Sequence, residues 1–312
     1  MNSYVVTVTL NPALDKTVVI PRLDVGGLNR VKKLRIDPGG KGINVARVLN
    51  GFGINVKATG LLAGSQGHLL LNYLNSENIS ADFLTIPGET RTNLKIVDDS
   101  SNVTTEINET GFEVAPSDMN VFKAKLVTLL EQASFLVLSG SLPFKVESDI
   151  YRELIELANH KGVKTILDAD DKALAEGIQA VPFAVKPNIH ELEKLVGCKM
   201  ADDRDIVCAC RLLLERGIQI IIVSMGAQGA IVMNCQEAYR LRVKAIIPKS
   251  TVGAGDSMVG ALAYSLLSKH SLVETAQWAV AAGTVTALQS GTQVCSLQQV
   301  RQFLHQVSIE KM

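Results

Sequence analysis

Pro38-Gly-Gly-Lys-Gly-Ile-Asn-Val-Ala-Arg-Val-Leu-Asn-Gly-Phe52 is the stretch from which the fold reads. Its apolar residues Val45, Val48, Leu49 and Phe52 fall at i, i+3, i+4 and i+7, so a helix from about Ile43 lays one face on a core. Outward from it, short β-rich runs alternate with segments of helical period: Tyr4 to Leu10, Phe135 to Ser139, Lys164 to Asp168 and Ile218 to Ser224. That alternation is the βαβ pattern of an α/β domain with a mostly parallel sheet. The last third reads as helix after helix, Gly255 to Lys269, Leu272 to Gln289 and Leu297 to Val307, expected to cover the sheet rather than extend it. Two regions break the rhythm. Thr17 to Ile36 and Arg91 to Ile107 alternate polar and apolar residues, the second around the turn-rich Asp98-Asp-Ser-Ser-Asn102, and read as antiparallel strands of a small projecting sheet, a lid.

Composition narrows the function classes. Lysine plus arginine and aspartate plus glutamate each number 31, so no excess charge points to a polyanionic partner, and nucleic-acid binding is not expected. Charged residues make up 20% of the chain, interspersed among apolar ones, which is globular composition. The start lacks a basic segment before its apolar run, which Asn11-Pro12 interrupts, so no signal peptide is read. The apolar stretch Ala276 to Leu288 is too short to cross a bilayer. A cytoplasmic protein with no membrane partner is expected. Its five cysteines form no metal or redox spacing, and Cys208 and Cys210 would point to different sides of a helix, so free thiols are expected.

Three motifs are able to carry chemistry. In Ser250-Thr-Val-Gly-Ala-Gly-Asp-Ser257, which follows the strand-like Val243 to Ile247 and opens a helix, Gly253, Ala254 and Gly255 leave backbone amides bare for an anion. Asp256 then places a carboxylate in that same positive pocket. It is either a helix N-terminal acid favoured by the dipole, or a base that takes a proton from a hydroxyl while the amides stabilise a transferring phosphoryl group. The glycine turn Gly39-Gly40-Lys41-Gly42 matches neither a Walker A loop nor a dinucleotide fingerprint. It is a tight start to a helix or, with Asn44, a set of donors for sugar hydroxyls or a phosphate.

Lys186-Pro-Asn-Ile-His-Glu191 closes a strand and starts a helix, with Asn188 and Glu191 three apart. That spacing suits a capping box, and equally a Glu that orders waters around Mg²⁺. Asp15 sits near the carboxyl edge of the first strand, where α/β sheets bind ligands, or is a turn residue. Arg91 opens a lid strand, where it holds a phosphate or stays solvated. Ser224-Met-Gly226-Ala-Gln-Gly229 is a turn between strands that would let a nucleotide approach the backbone. The five histidines show no metal spacing, and His190 reads as a surface helix residue.

Together, Gly39-Gly-Lys-Gly-Ile-Asn-Val-Ala46 and Thr251-Val-Gly-Ala-Gly-Asp256 resemble the two signatures of the ribokinase-like carbohydrate kinases, the phosphofructokinase B family. Thr9-Leu-Asn-Pro-Ala-Leu-Asp15, Ser139-Gly-Ser-Leu-Pro143 and Lys186-Pro-Asn188 match in order, so the resemblance spans nearly the whole chain and looks like the hexose-phosphate kinase branch. Gly111-Phe-Glu-Val-Ala-Pro116 and Lys249-Ser-Thr-Val-Gly-Ala-Gly-Asp-Ser-Met-Val259 are similar to the bacterial 1-phosphofructokinase pattern, Ser250 included, where the broader family has Asp.

The resemblance implies one three-layer α/β/α domain over residues 1–312, with lid strands at about 17–36 and 91–108 and a homodimer through the lid. It further implies ATP along Lys186, Asn188, Ser224, Gly226, Gly229, Thr251, Gly253 and Gly255, with Mg²⁺ near Glu191. A sugar phosphate would meet Asp15, Gly39, Gly40, Lys41, Asn44 and Arg91, with Ser139 facing the same cleft. Asp256 would be the base, helped by the amides of Gly253, Ala254 and Gly255. The implied reaction is phosphorylation of fructose 1-phosphate at its C6 hydroxyl. Kinases for tagatose 6-phosphate or fructose 6-phosphate are the near alternatives, and a non-catalytic sugar-phosphate sensor the distant one.

Overall fold

The computed structural model describes residues 3–101 and 103–312. Met1, Asn2 and Asn102, the last residue of the turn read from sequence, lie outside them. The chain begins with β1 (Tyr4–Thr9), β2 (Ala13–Ile20) and β3 (Lys33–Gly39), then α1 (Lys41–Gly51), β4 (Val56–Ala63), α2 (Gly64–Ser76), β5 (Ser80–Ala81) and β6 (Leu84–Ile86). Next come β7 (Arg91–Asp98), β8 (Val103–Asn108), α3 (Pro116–Leu130), β9 (Ala133–Ser139), α4 (Ile150–His160), β10 (Lys164–Asp168) and α5 (Asp171–Gln179). The order continues β11 (Ala184–Val185), α6 (Ile189–Val196), α7 (Asp203–Leu214), β12 (Ile220–Ser224), β13 (Ala230–Met233) and β14 (Ala238–Val243). It ends α8 (Ala254–Leu267), α9 (Leu272–Ala287), α10 (Leu297–Phe303) and β15 (Val307–Lys311).

The large sheet has the order β15-β14-β13-β12-β11-β10-β9-β1-β4-β5, with β6 also on β4. It is parallel from β5 to β12, and antiparallel from β12 through β13 and β14 to β15. Side chains alternate along each strand, which sorts the apolar residues into two cores. Val5, Val137, Ile166 and Ile222 pack with α1, α2, α8 and α9, whereas Val6, Leu136, Leu167 and Ile221 pack with α3 to α7. Helices on both faces of one sheet make the three-layer α/β/α arrangement. Among the described residues no helix is long and apolar enough to cross a membrane.

The small sheet has the order β3-β2-β7-β8. Its two hairpins are antiparallel as the alternation implied, but β2 and β7 join in parallel. Its first hairpin is also longer than expected, because β2 starts at Ala13 and β3 continues to Gly39, which puts Asp15 inside a strand.

Two C-terminal expectations are corrected. Helix α10 stops at Phe303, and Val307–Lys311 extends the sheet, since β14 would otherwise leave an unpaired edge that this alternating segment fills. The strand before the second glycine motif ends at Val243, not Ile247. Beyond it Pro248 has no N–H for a ladder, and Ile247 is 90% exposed as the chain leaves the sheet.

Helix α1 starts two residues before the expected Ile43, right after Gly40, because the glycines let it press against β1. A Cβ on Gly42 would lie 2.4 Å from the Val8 carbonyl oxygen and 2.5 Å from Thr9 Oγ1. The better helix propensity of alanine, about 1 kcal/mol, does not offset a backbone clash of that size. Gly42→Ala is expected to lower stability by about 1–3 kcal/mol, read as a lower urea midpoint at unchanged slope.

Candidate active site

A cavity of about 420 Å³ opens between the large sheet, the start of α8 and the small sheet. Helix α8 begins on Gly253, whose φ of 76° is a left-handed turn that glycine adopts without strain. The Ala254 amide turns back to the Thr251 carbonyl at 3.3 Å, while those of Gly255 and Asp256 find no partner among the described residues. Unsatisfied amides at a helix start form an anion site.

Asp256 stands one residue further along, 7% exposed. Burial pushes its carboxyl up to about 6, with Asp168 adding to the rise, and Asn44, Lys41 and Lys186 opposing it. Asn44 reaches over from the first turn of α1, and its Nδ2 donates to Asp256 Oδ2 at 2.8 Å. A plain helix N-terminal acid would be solvated and of ordinary acidity, so the geometry favours a chemical role for this one.

Around Asp256 lies a ring of paired charges. Lys41 Nζ donates to Asp170 Oδ1 at 2.7 Å and lies 3.7 Å from Asp168 Oδ1, with Lys186 Nζ at 3.2 Å from that same oxygen. Burial works against the Lys41 ammonium, but Asp168 and Asp170 outweigh it and hold Lys41 well above its ordinary value. Lys186 also adjoins the anion loop, since a Cβ on Gly255 would lie 3.5 Å from its Nζ.

The capping box is present: Asn188 Oδ1 accepts from the Glu191 amide at 2.9 Å, and Glu191 Oε2 accepts from the Asn188 amide at 2.8 Å. Glu191 lines the cavity as well, so the structural reading does not displace the chemical one. Burial raises its carboxyl above the usual range, opposed by the Asn188 amide and Lys186. Ser224 adjoins Asn188 through an isolated bridge, and Ser224 and Thr251 are on the wall.

At the small-sheet end, Asp15 is buried, and its two oxygens accept from Asn93 Nδ2 at 3.0 Å and Lys95 Nζ at 3.2 Å. Arg91 donates to the carbonyls of Glu109 and Asn11, both at 3.1 Å. Gly40 is part of the wall, and Gly39 backs Asp15.

Several residues singled out in sequence fall off the wall. Ser139 is fully buried, because it follows Phe135 and Val137 on the strand face turned into the core; Gly140 and Ser141 form the wall instead. Gly226 is exposed beyond the cavity, and Gly229 is pressed on β14, where a Cβ would lie 2.0 Å from the Leu241 carbonyl oxygen. Ala254 also stays behind the wall. His190 is an exposed helix residue, and Cys208 is exposed where Cys210 is buried.

Other wall residues went unnoticed in sequence. Asp168 ends β10 at the carboxyl edge of the sheet, a signal by itself. Asn93 and Lys95 follow Arg91 at two-residue spacing and so share its strand face. Asp170, Glu106 and Asn108 carried no comparable signal. Among the described residues no cluster of three or more His, Cys, Asp or Glu is arranged to hold a metal by itself.

Comparison with known proteins agrees with this architecture. The model of the "pfkB family carbohydrate kinase" matches residues 8–299. A 1-phosphofructokinase of Xanthomonas campestris is 36% identical over 295 residues, 93% of each chain. That of Escherichia coli K12 is 34% identical over 310 residues, 99% of each. In three dimensions, the crystal structure of Escherichia coli phosphofructokinase-2 with potassium superposes with a TM-score of 0.92 at 30% identity, over 97% of this chain and 98% of that one. A tetrameric inhibited form of that enzyme superposes at 0.91. The family match covers far more than half of the chain, and the fold and the two glycine-led helix starts agree with it: this chain belongs to the pfkB family of carbohydrate kinases.

Proposed function

We propose that this protein is an ATP-dependent kinase that phosphorylates fructose 1-phosphate at its C6 hydroxyl, giving fructose 1,6-bisphosphate and ADP. The observation that carries the reading is Asp256, a buried carboxylate of raised pKa beside unpartnered amides. A site that only bound anions would gain nothing from a carboxylate there. The 1-phosphofructokinase relatives support the choice of substrate.

In this reading Asp256 accepts the proton of the C6 hydroxyl as its oxygen forms a bond to the γ-phosphorus in line with the bond that breaks to ADP. The amides of Gly255 and Asp256, with Lys41 and Lys186, stabilise the charge on the transferring group. Lys186, Asn188, Ser224 and Thr251 hold the nucleotide; Asp15, Gly40, Asn44 and Arg91 hold the sugar phosphate. The acids suit Mg²⁺ arriving with the nucleotide, since the carboxylates of Asp168 and Glu191 line the same cavity and hard oxygen donors are what Mg²⁺ takes. Bound magnesium would neutralise charge on the phosphate oxygens. The small sheet acts as the lid, and the chain works as a single kinase unit in the cytosol.

The outer face of the small sheet supports a homodimer. Leu34, Val103 and Ile107 are 52%, 56% and 54% exposed there, an open apolar sheet face that a second copy would cover.

Three outcomes are expected. ADP release with MgATP should show a higher kcat/KM for fructose 1-phosphate than for fructose 6-phosphate or tagatose 6-phosphate. A preference for either 6-phosphate would overturn the substrate, and no turnover on any would leave a sensor. Light scattering should give a dimer that Ile107→Lys turns into a monomer, whereas a monomeric or tetrameric wild type would reject that assembly.

The pH dependences of activity and stability should oppose each other. The base must be ionised, so kcat/KM is lost as pH falls through about 6. The fold prefers the same carboxyl neutral, its pKa being raised from 3.8, so this stabilisation is full below 3.8 and lost as pH rises through about 6. Asp256→Asn should therefore be more stable than wild type above pH 6, by up to about 3 kcal/mol, with the difference vanishing near pH 3 in thermal melts.

A further inference from the structure

Lys95 is charged, 8% exposed and on the cavity wall, yet the mechanism above gives it no task. It lies on β7 two residues beyond Asn93 and four beyond Arg91, so all three share one face of the small sheet. The parallel register sets Asp15 of β2 beside Asn93. As a result β7 grips both oxygens of one carboxylate, Oδ1 through Asn93 and Oδ2 through Lys95. On the other side, a Cβ on Gly39 would lie 2.7 Å from Asp15 Oδ1, so the backbone of β3 closes the cage.

Two cations of this face meet different surroundings. The Lys95 ammonium is matched by Asp15, with Glu106 opposite it on β8. For it to bind a phosphate, it would have to leave a buried carboxylate unpaired, which costs more than a surface ion pair returns. Among the described residues Arg91 makes no salt bridge; it donates to two carbonyls and, at 3.5 Å, to the Ser141 hydroxyl, so no carboxylate has to be released for it to meet an anion.

Resting on the kinase reading, we propose that Lys95 is a positioning residue for sugar recognition: it orients the Asp15 carboxylate so that its remaining lone pairs accept from substrate hydroxyls, and takes no part in holding the substrate phosphate, which stays with Arg91. The division of labour separates the two parts of a sugar phosphate. Loss of Lys95 impairs recognition of the hydroxyls and leaves recognition of the anion intact.

The test measures affinity for fructose 1-phosphate by calorimetry without ATP, inorganic phosphate as a competitor of it, and KM for MgATP. Lys95→Met is expected to weaken fructose 1-phosphate by about tenfold or more, with the phosphate inhibition constant and the KM for MgATP unchanged, and Lys95→Arg to restore much of the loss. Because Lys95→Met strands a buried carboxylate, the neutral pair Asp15→Asn/Lys95→Met is the second variant, expected to bind no more weakly than Asp15→Asn alone. Additive losses in the pair, or a Lys95→Met variant that loses inorganic phosphate as strongly as the sugar phosphate, would overturn the proposal in favour of direct phosphate binding. Wild-type turnover tests the kinase reading separately, since binding of the sugar phosphate needs no transfer.

Discussion

The hydrogen bond from Asn44 to Asp256 joins residues 212 positions apart, and the active cavity depends on it. Each partner stands in the first turn of a helix that begins on a glycine, α1 on Gly40 and α8 on Gly253. The two helices lie in the same layer against the large sheet, so both helix starts come to the same cavity. Asn44 fixes one oxygen of a carboxylate that lines the cavity together with Gly255. Without that contact, Asp256 would lose a donor that stabilises its ionised form and sit still further above the ordinary carboxylate range.

Burial is what makes the arrangement chemically useful, and also what makes it costly. Asp168, Asp170, Glu191 and Asp256 crowd one cavity, yet Lys41 and Lys186 share the Asp168 oxygen and balance only part of that charge. Burial, with the negative charge of Asp168 adding to it, holds the carboxyls of Asp256 and Glu191 above their usual range. In the proposed reaction a base near neutrality is matched to taking a proton from a hydroxyl only as the phosphoryl group arrives. The fold therefore tolerates local instability at Asp256, an exchange found where a site is built for reaction rather than for rest.

Sequence alone made the layers legible, because a period of two in the strands and 3.6 in α1 survives packing unchanged. The glycine motifs were legible because glycine takes the left-handed turn at 253 without strain and leaves room for the contact of α1 with β1. Asp168 was within reach by the rule that strands bind ligands at their carboxyl ends, whereas Asp170 depends on a loop path no local pattern encodes. Ser139 misled because a residue in the right motif was assumed to face the cleft, when strand parity turns it into the core. The C-terminal strand was hidden by a helix directly before it: Val307–Lys311 acquires its role only from the free edge of β14, a nonlocal need.

In the proposed mechanism Asp256 moves the proton rather than shaping the pocket. The most direct measurement compares Asp256→Asn with wild type for turnover of fructose 1-phosphate and, in the same preparations, for affinity toward the sugar phosphate and MgATP. A proton-transfer role lowers kcat by roughly 10²–10⁴ and leaves both affinities within a few-fold of wild type. Comparable turnover in the variant, or a loss that follows affinity instead of kcat, would contradict it.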